Sequence, residues 1–261
     1  MFKSTTAGNV TFVGAGPGAA DLITVRGLCA LQQADVVLHD DLANRELLGN
    51  CRHGTEFIYV GKRAGTHSAL QEEINWLLVA HASAGRRVVR LKGGDPTVFG
   101  RLGEEIAALR AAQIAFEIVP GITAACASAA AAGISLTQRG VASTAILTTG
   151  HECEAKRSRS VDWSALAHPG ATLCVYMGTR RLGEIAERLT AHGISRATPL
   201  LIVSHASRPT QSIRLGTLES AAQLATELED TPSLIVIGEA AAAHRSPLAT
   251  AHAQEPAHAS H

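Results

Sequence analysis

Short apolar runs alternate with longer amphipathic stretches along the first half of the chain. The apolar runs are rich in β-branched residues and predict five strands, and the stretches between them have the apolar spacing of helices. The predicted strands cover residues 10–13, 34–39, 57–60, 87–92 and 114–119. Five successive β-α units predict a parallel sheet with helices on both faces.

The second half of the chain has a different pattern, with strands predicted at residues 142–149, 171–176, 199–204, 212–218 and 233–237. Helices are predicted near 182–192 and 218–227. The strand at 212–218 follows its predecessor after a short polar loop, so these two strands should be antiparallel and the sheet mixed. We therefore expect two α/β domains, 9–121 and 122–240. Residues 241–261 are rich in alanine and histidine, lack apolar periodicity and are predicted to be disordered.

A glycine pair follows the fourth predicted strand. Gly93 and Gly94 allow positive φ angles and let a ligand approach the backbone closely. Asp95 and Pro96 come next and resemble a cap and a first turn. Ligand-free turns use the same residue types, so a tight strand-to-helix connection is the alternative interpretation.

The first glycine turn raises a competing possibility. Gly14-x-Gly16-x-x-Ala19 follows a predicted strand, and Asp40 comes about 20 residues later, which nominally satisfies the dinucleotide-binding fingerprint. Pro17 lies inside the turn, where that fingerprint needs free backbone donors for a pyrophosphate. A Rossmann-type oxidoreductase is thus an alternative that the turn disfavours.

Charged residues stand at the carboxyl ends of the predicted strands, which is where open α/β sheets bind ligands. Asp40 follows the second strand, and Lys62 and Arg63 follow the third. With Arg90 and Arg101, the two basic residues are expected to form a rim that binds the carboxylates of an acidic substrate. The alternatives are a helix cap for the aspartate and plain solvated charge for the basic pair.

Composition adds a few constraints. Lys+Arg and Asp+Glu both number 23, so no overall field favours nucleic acid, and an acidic ligand must be bound by local basic groups. The five cysteines form no CxxC pair, which disfavours a zinc site or a disulfide framework, so we expect no metal and a reducing cytoplasm. No run approaches the roughly 18 apolar residues of a membrane helix.

Several motifs occur together in a fixed order. They are Val60-Gly61-Lys62-Arg63-Ala64-Gly65, Arg90-Leu91-Lys92-Gly93-Gly94-Asp95-Pro96-Thr97-Val98-Phe99-Gly100-Arg101, Val119-Pro120-Gly121-Ile122-Thr123-Ala124 and Tyr176-Met177-Gly178. With them the chain closely resembles the tetrapyrrole methylase family from about residue 10 to residue 239. The resemblance implies an active site in the cleft between two α/β domains, and a homodimer.

The implied activity is a methyltransferase of porphyrin biosynthesis. It transfers methyl groups from S-adenosyl-L-methionine to C2 and C7 of uroporphyrinogen III, giving precorrin-2, a precursor of sirohaem and cobalamin, and S-adenosyl-L-homocysteine. Methylases of later precorrins share the architecture and cofactor, but the string 90–101 with residues 61–63 favours uroporphyrinogen III. A non-catalytic cofactor-sensing module is a further alternative. Because no other domain is recognisable, we expect no dehydrogenase or ferrochelatase activity of the kind found on fused domains.

The resemblance also implies residue roles. Asp40 matches the proton acceptor, Lys62 the proton donor, and Arg90 an arginine expected near the substrate carboxylates. The residues that match cofactor positions are Pro17, Gly93, Gly94, Asp95, Val98, Thr123, Ala124, Met177 and Ala206. Two features depart from the family pattern: the acidic residue after the first glycine turn is displaced to Asp21, and Ala206 stands where many members have glycine.

Overall fold

The computed structural model describes residues 9–61, 71–151, 161–226, 228 and 231–244. Its strands form two five-stranded sheets. The first contains β1 (Val10–Gly14), β2 (Val36–His39), β3 (Glu56–Tyr59), β4 (Val88–Lys92) and β5 (Phe116–Val119). The second contains β6 (Thr144–Thr149), β7 (Ala171–Tyr176), β8 (Pro199–Ser204), β9 (Ser212–Thr217) and β10 (Ser233–Ile237). The helices are α1 (Val25–Gln33), α2 (Gln71–Ser83), α3 (Leu102–Ala111), α4 (Ala124–Ala132), α5 (Trp163–Leu166), α6 (Leu182–Ala191) and α7 (Ala221–Thr226).

The first sheet is parallel throughout, in the order β3-β2-β4-β1-β5. Alternate strand residues enter different cores, because successive side chains of a strand point to opposite faces. Phe12 packs with Leu78 of α2 and Leu109 of α3, whereas Val13 packs with Leu31 of α1. The predicted parallel sheet with helices on both faces is confirmed.

The second sheet has the order β6-β7-β10-β8-β9. Only β6 and β7 pair in parallel, and the other three pairs are antiparallel, which confirms the predicted mixed sheet. Helices α6 and α7 cover one face, and α4 covers the other. Every side chain of α4 is alanine, cysteine or serine, so this helix approaches the sheet closely.

Some boundaries differ from the sequence expectation. The helix predicted from Leu22 begins at Val25, because Ala20–Leu22 form a separate 3-10 turn and Thr24 caps α1 through the Gly27 amide. The division at residues 121 and 122 stays a prediction, as does the disorder of 241–261, most of which lies outside the described residues. No helix within the described ranges is long and apolar enough to cross a bilayer.

Candidate active site

The connections that follow β2 and β4 leave the first sheet in opposite directions. Strand β2 is followed by β3 on one side of it, whereas β4 is followed by β5, on the far side of β1. Open α/β sheets bind ligands at the carboxyl ends of strands where the connections diverge in this way. His39 and Leu91 are register partners at these strand ends. The topology therefore makes the carboxyl ends of β2 and β4, beside Asp40 and the Gly93-Gly94 loop, the candidate ligand site, which we call the crevice.

Three glycine-containing loops pack backbone to backbone at this edge. The Gly94 amide donates to the Gly16 carbonyl at 2.7 Å, and the Gly16 amide donates to the Gly94 carbonyl at 3.2 Å. A Cβ on Gly14 would lie 2.6 Å from the Cα of Gly121, and one on Gly121 would overlap the Gly94 carbonyl. Because side chains have no room there, the loops after β1, β4 and β5 form one compact unit.

Asp95 links two of these loops. One carboxylate oxygen accepts from the Thr97 amide at 2.8 Å and from the Thr97 hydroxyl, and the other accepts from the Gly121 amide at 2.9 Å. The Val98 amide donates to the Asp95 carbonyl at 3.2 Å, which closes a turn. Asp95 therefore fixes the shape of the loop at this edge of the sheet.

The open side of the Gly93-Gly94 loop faces the start of α4. Gly94 has a φ of +68°, and a Cβ built on it would meet nothing nearer than 3.9 Å. Its nearest neighbours would be the Ile122 carbonyl, the Cα of Thr123 and the amide of Ala124. We call these five residues, Gly93, Gly94, Ile122, Thr123 and Ala124, the glycine cradle. On the α4 side, the atoms nearest to Gly94 all belong to the backbone.

The second sheet reaches the glycine cradle through the end of β7. The hydroxyl of Tyr176 lies 2.7 Å from the hydroxyl of Thr123 and accepts from the Ala125 amide at 3.0 Å. Burial raises the pKa of Tyr176. Its ring centroid lies 4.8 Å from that of Phe99, and Met177 follows with 56% of its surface exposed. Residues from both sheets thus meet beside the start of α4.

The loop after β8 also contacts the first sheet. The Ala19 amide donates to the Ser207 hydroxyl at 3.0 Å, and the Arg208 guanidinium donates to the Leu42 carbonyl at 3.0 Å. Ala206, which directly precedes Ser207 in the chain, is buried. Sequence reasoning did not identify Ser207 or Arg208, and the motif match at Ala206 was the only signal that pointed to this loop.

These contacts show that the Rossmann interpretation is wrong. The amides of Gly16 and Ala19, which that fold would offer to a pyrophosphate, donate to Gly94 and Ser207 instead. Strand β4 also lies between β2 and β1, whereas β1 and β2 are neighbours in the dinucleotide-binding order.

Residues with strained backbone are concentrated in the loops that follow three strands, β4, β7 and β8. Among the described residues, six non-glycine residues have positive φ, and five of them follow β4, β7 or β8. These five, with φ values of 49° to 64°, are Phe99, Arg101, Met177, His205 and Ser207. Such conformations cost roughly 1–3 kcal/mol each and cluster at functional sites. The crevice therefore has the strained backbone that is typical of a functional site.

Asp40 is held at the crevice by several donors. One of its oxygens accepts from the amides of Leu42 and Ala43 at 3.1 and 3.4 Å, and the other accepts from Arg90 at 3.2 Å. Its side chain is 24% exposed. This carboxylate is thus both oriented and accessible.

The expectation that Arg90 belongs to an exposed rim is wrong, because its side chain is buried. Arg90 and Lys92 alternate with Leu91 on β4 and point to the face that α3 covers. There Arg90 Nε lies 3.1 Å and Lys92 Nζ 2.8 Å from the two carboxylate oxygens of Glu105. Burial lowers the pKa of Lys92. Arg90 therefore reaches the crevice only through its contact with Asp40.

Of the other residues expected in the rim, the structure describes Arg101 alone. Arg101 is exposed and forms a two-pronged contact with Glu104, at 2.9 and 2.7 Å. Lys62 and Arg63 lie outside the described residues. The substrate-binding role of Arg101 stays a prediction. Within the described ranges, no three His, Cys, Asp or Glu side chains converge as metal ligands do.

This arrangement defines a two-sheet α/β protein with a candidate ligand site at the carboxyl ends of parallel strands. The sequence profile of the tetrapyrrole (corrin/porphyrin) methylases matches residues 9–222. The chain belongs to this family, which confirms the resemblance found in the sequence.

Relatives and solved structures agree with this assignment. The chain is 51% identical over 244 residues to siroheme synthase 1 of Pectobacterium atrosepticum, covering 94% of this chain and 50% of that protein. It is 50% identical over 232 residues to the siroheme synthase of Zymomonas mobilis, covering 89% and 49%. The chain thus spans about half the length of these curated relatives.

Two solved structures share the fold. One is uroporphyrin-III C-methyl transferase from Thermus thermophilus complexed with S-adenyl homocysteine, with a TM-score of 0.76 and 39% identity over 89% of this chain and 98% of that one. The other is a cobalt precorrin-4 methyltransferase, with a TM-score of 0.79 and 31% identity over 89% and 95%. The expected two-sheet tetrapyrrole methylase fold is therefore confirmed.

Proposed function

We propose that this protein transfers methyl groups from S-adenosyl-L-methionine to C2 and C7 of uroporphyrinogen III, giving precorrin-2 and S-adenosyl-L-homocysteine. The observation that carries the proposal is that the Gly93-Gly94 loop of the glycine cradle and the oriented carboxylate of Asp40 follow neighbouring strands, β4 and β2, at their carboxyl ends. The 39% identity to the Thermus enzyme, 98% of whose chain is covered, supports the same substrate. The proposed active site is the crevice where the two sheets meet.

The glycine cradle suits the cofactor. Gly94 presents no side chain at this loop, so a ligand can approach its backbone closely. We propose that the cradle residues border the cofactor together with Pro17, Asp95, Val98, Met177 and Ala206. Asp95 would act by holding the loop in shape, and the exposed Met177 thioether would pack on the adenosine. When bound, the cofactor supplies an electrophilic methyl group on its sulfonium sulfur.

The neighbouring residues then have to align the acceptor and move protons. Carbon methylation of a pyrrole depends on alignment and on proton transfer as the ring rearranges. We propose that Asp40 accepts a proton, Lys62 donates one, and Arg63 and Arg101 bind substrate carboxylates. Arg90 would orient Asp40, because its guanidinium is already occupied within the protein. A homodimer, which sedimentation would detect, is part of the same proposal and has the family resemblance as its support.

The test is incubation of the purified protein with uroporphyrinogen III and methyl-labelled S-adenosyl-L-methionine, followed by mass analysis of the tetrapyrrole. We expect two labelled methyl groups, and strongly reduced labelling in Asp40→Asn. The cobalt precorrin-4 methyltransferase has the same fold, so a later precorrin serves as a second acceptor. Methylation of that acceptor without methylation of uroporphyrinogen III would contradict the proposed substrate.

A further inference from the structure

A fully buried carboxylate lies behind the crevice. Glu105 on α3 has 0% of its surface exposed. Burying a charged group costs several kcal/mol unless partners compensate for its lost hydration. Both of its oxygens have such partners, since Arg90 donates to one at 3.1 Å and Lys92 to the other at 2.8 Å. The arrangement is a closed ionic cluster beneath β4.

Arg90 connects this cluster to Asp40 at the crevice. Its Nε donates to Glu105, its Nη1 donates to the Leu91 carbonyl at 3.0 Å, and its Nη2 donates to Asp40 at 3.2 Å. A guanidinium is planar and rigid, so the position of Nε determines the direction of Nη2. Glu105, together with the Leu91 carbonyl, therefore sets where the donor to Asp40 points.

The contact matters because Asp40 is the accessible end of the cluster. Its side chain is 24% exposed, whereas the side chain of Arg90 is 5% exposed. The amides of Leu42 and Ala43 hold one oxygen of Asp40, and Arg90 donates to the other. The rotation of the carboxylate at the crevice thus depends on the arginine.

We infer that Glu105 is a positioning residue, which acts through Arg90 to orient the carboxylate of Asp40 for proton transfer. The inference rests on the proposed function for the role of Asp40. Sequence motifs did not identify Glu105, because it lies four residues beyond Arg101, on the first turn of α3. Its effect is on the turnover step, since the residue itself touches neither ligand-binding surface.

A double-mutant cycle with Asp40→Asn tests the inference. Glu105→Gln keeps the shape of the side chain and removes its charge, and we expect kcat to fall about tenfold. KM for both substrates should stay within about twofold of the wild-type values. The double variant should turn over no more slowly than Asp40→Asn alone, because residues that act through one another give non-additive losses.

Leu109→Val is the matched structural control. Leu109 lies on the same helix, one turn further on, and is also fully buried. The substitution should lower thermal stability, and its effect on kcat should add to that of Asp40→Asn. If Glu105→Gln does not fold, because it leaves the Lys92 ammonium without an anionic partner, Glu105→Gln combined with Lys92→Met removes both charges of the Lys92–Glu105 pair and enters the cycle instead.

Two outcomes would overturn the inference. One is an additive loss in the Glu105→Gln/Asp40→Asn variant, and the other is a raised KM with unchanged kcat. Failure of the proposed function looks different, since the wild type would then form no methylated tetrapyrrole. In that case the same cycle is measured by thermal unfolding of the ligand-free chain. Coupling between the two substitutions supports the positioning contact, and its absence refutes it.

Discussion

Replacement of Gly94 by alanine tests the glycine cradle directly, because both consequences can be worked out from the structure. The φ of +68° is a left-handed backbone that costs an L-residue roughly 1–2 kcal/mol. The new Cβ would lie 3.9 Å from the Ile122 carbonyl and from the Cα of Thr123, which is ordinary van der Waals contact. The methyl group therefore fits the protein, and we expect it to prevent the close approach of the cofactor to the loop backbone.

Gly133 provides a matched control. It ends α4 with a φ of +66°, and a Cβ on it would meet nothing within 4 Å. Gly133→Ala should therefore lose the same roughly 1–2 kcal/mol of unfolding free energy without placing a methyl group in the glycine cradle. In a chain of this size, each kcal/mol lowers the melting temperature by about 2–4 °C. The two variants should melt at similar temperatures.

Calorimetry with S-adenosyl-L-homocysteine separates the two effects. Gly133→Ala should bind within about twofold of the wild type, whereas Gly94→Ala should bind at least tenfold more weakly, a loss of about 1.4 kcal/mol. Gly94→Val, with a larger side chain, should show no binding while its far-UV circular dichroism is retained. Wild-type affinity in a folded Gly94→Ala variant would refute the cofactor site. An equal loss of S-adenosyl-L-homocysteine affinity in Gly133→Ala would show that the effect comes from backbone strain and not from the position of the methyl group.

The remaining predictions concern the packing of β7 against α4. Tyr176→Phe removes the hydroxyl that contacts Thr123 and Ala125 and should cost about 1 kcal/mol of unfolding free energy in urea titrations. Burial raises the pKa of Tyr176, so the unfolded chain releases this proton at lower pH. The unfolding free energy of the wild type should therefore fall as pH rises above about 10, and that of Tyr176→Phe should fall less. An equal dependence of the unfolding free energy on pH in the two proteins would contradict the burial of Tyr176. Burial also raises the pKa of Cys174 to about 12, whereas Cys126 is exposed. Under native conditions, iodoacetamide should therefore label Cys126 and not Cys174, and the masses of the proteolytic peptides would show which cysteine is labelled.

Local sequence patterns predicted most of the secondary structure. The strands at Ala171–Tyr176, Pro199–Ser204 and Ser233–Ile237 were predicted to the residue, because each is a continuous buried run with a clear polar or proline boundary. The order β3-β2-β4-β1-β5 was not predicted. Strand order depends on contacts between distant parts of the chain, which apolar periodicity does not encode.

The candidate site was predicted in part, for a related reason. The motif match singled out Arg90 as a residue near the substrate carboxylates and Asp95 as a cofactor position. The structure shows that Arg90 binds Glu105 and that Asp95 binds Gly121, partners 15 and 26 residues away. A long charged side chain can turn toward the core or toward solvent, and only the position of its partner decides which. The sequence carried no signal for Ser207 as the partner of Ala19.

The hydrogen bond between Ala19 and Ser207 also bears on the order in which the protein is assembled on the ribosome. All five strands of the first sheet have been synthesised once Val119 is made, yet Ser207 follows 88 residues later. At a synthesis rate of about 5–20 residues per second, that delay is roughly 4–18 s. A nascent chain stalled before residue 207 would hold a paired first sheet whose first glycine turn still exposes an amide to water. Assembly of the crevice is therefore a late event in biosynthesis, completed only after most of the second sheet has been translated.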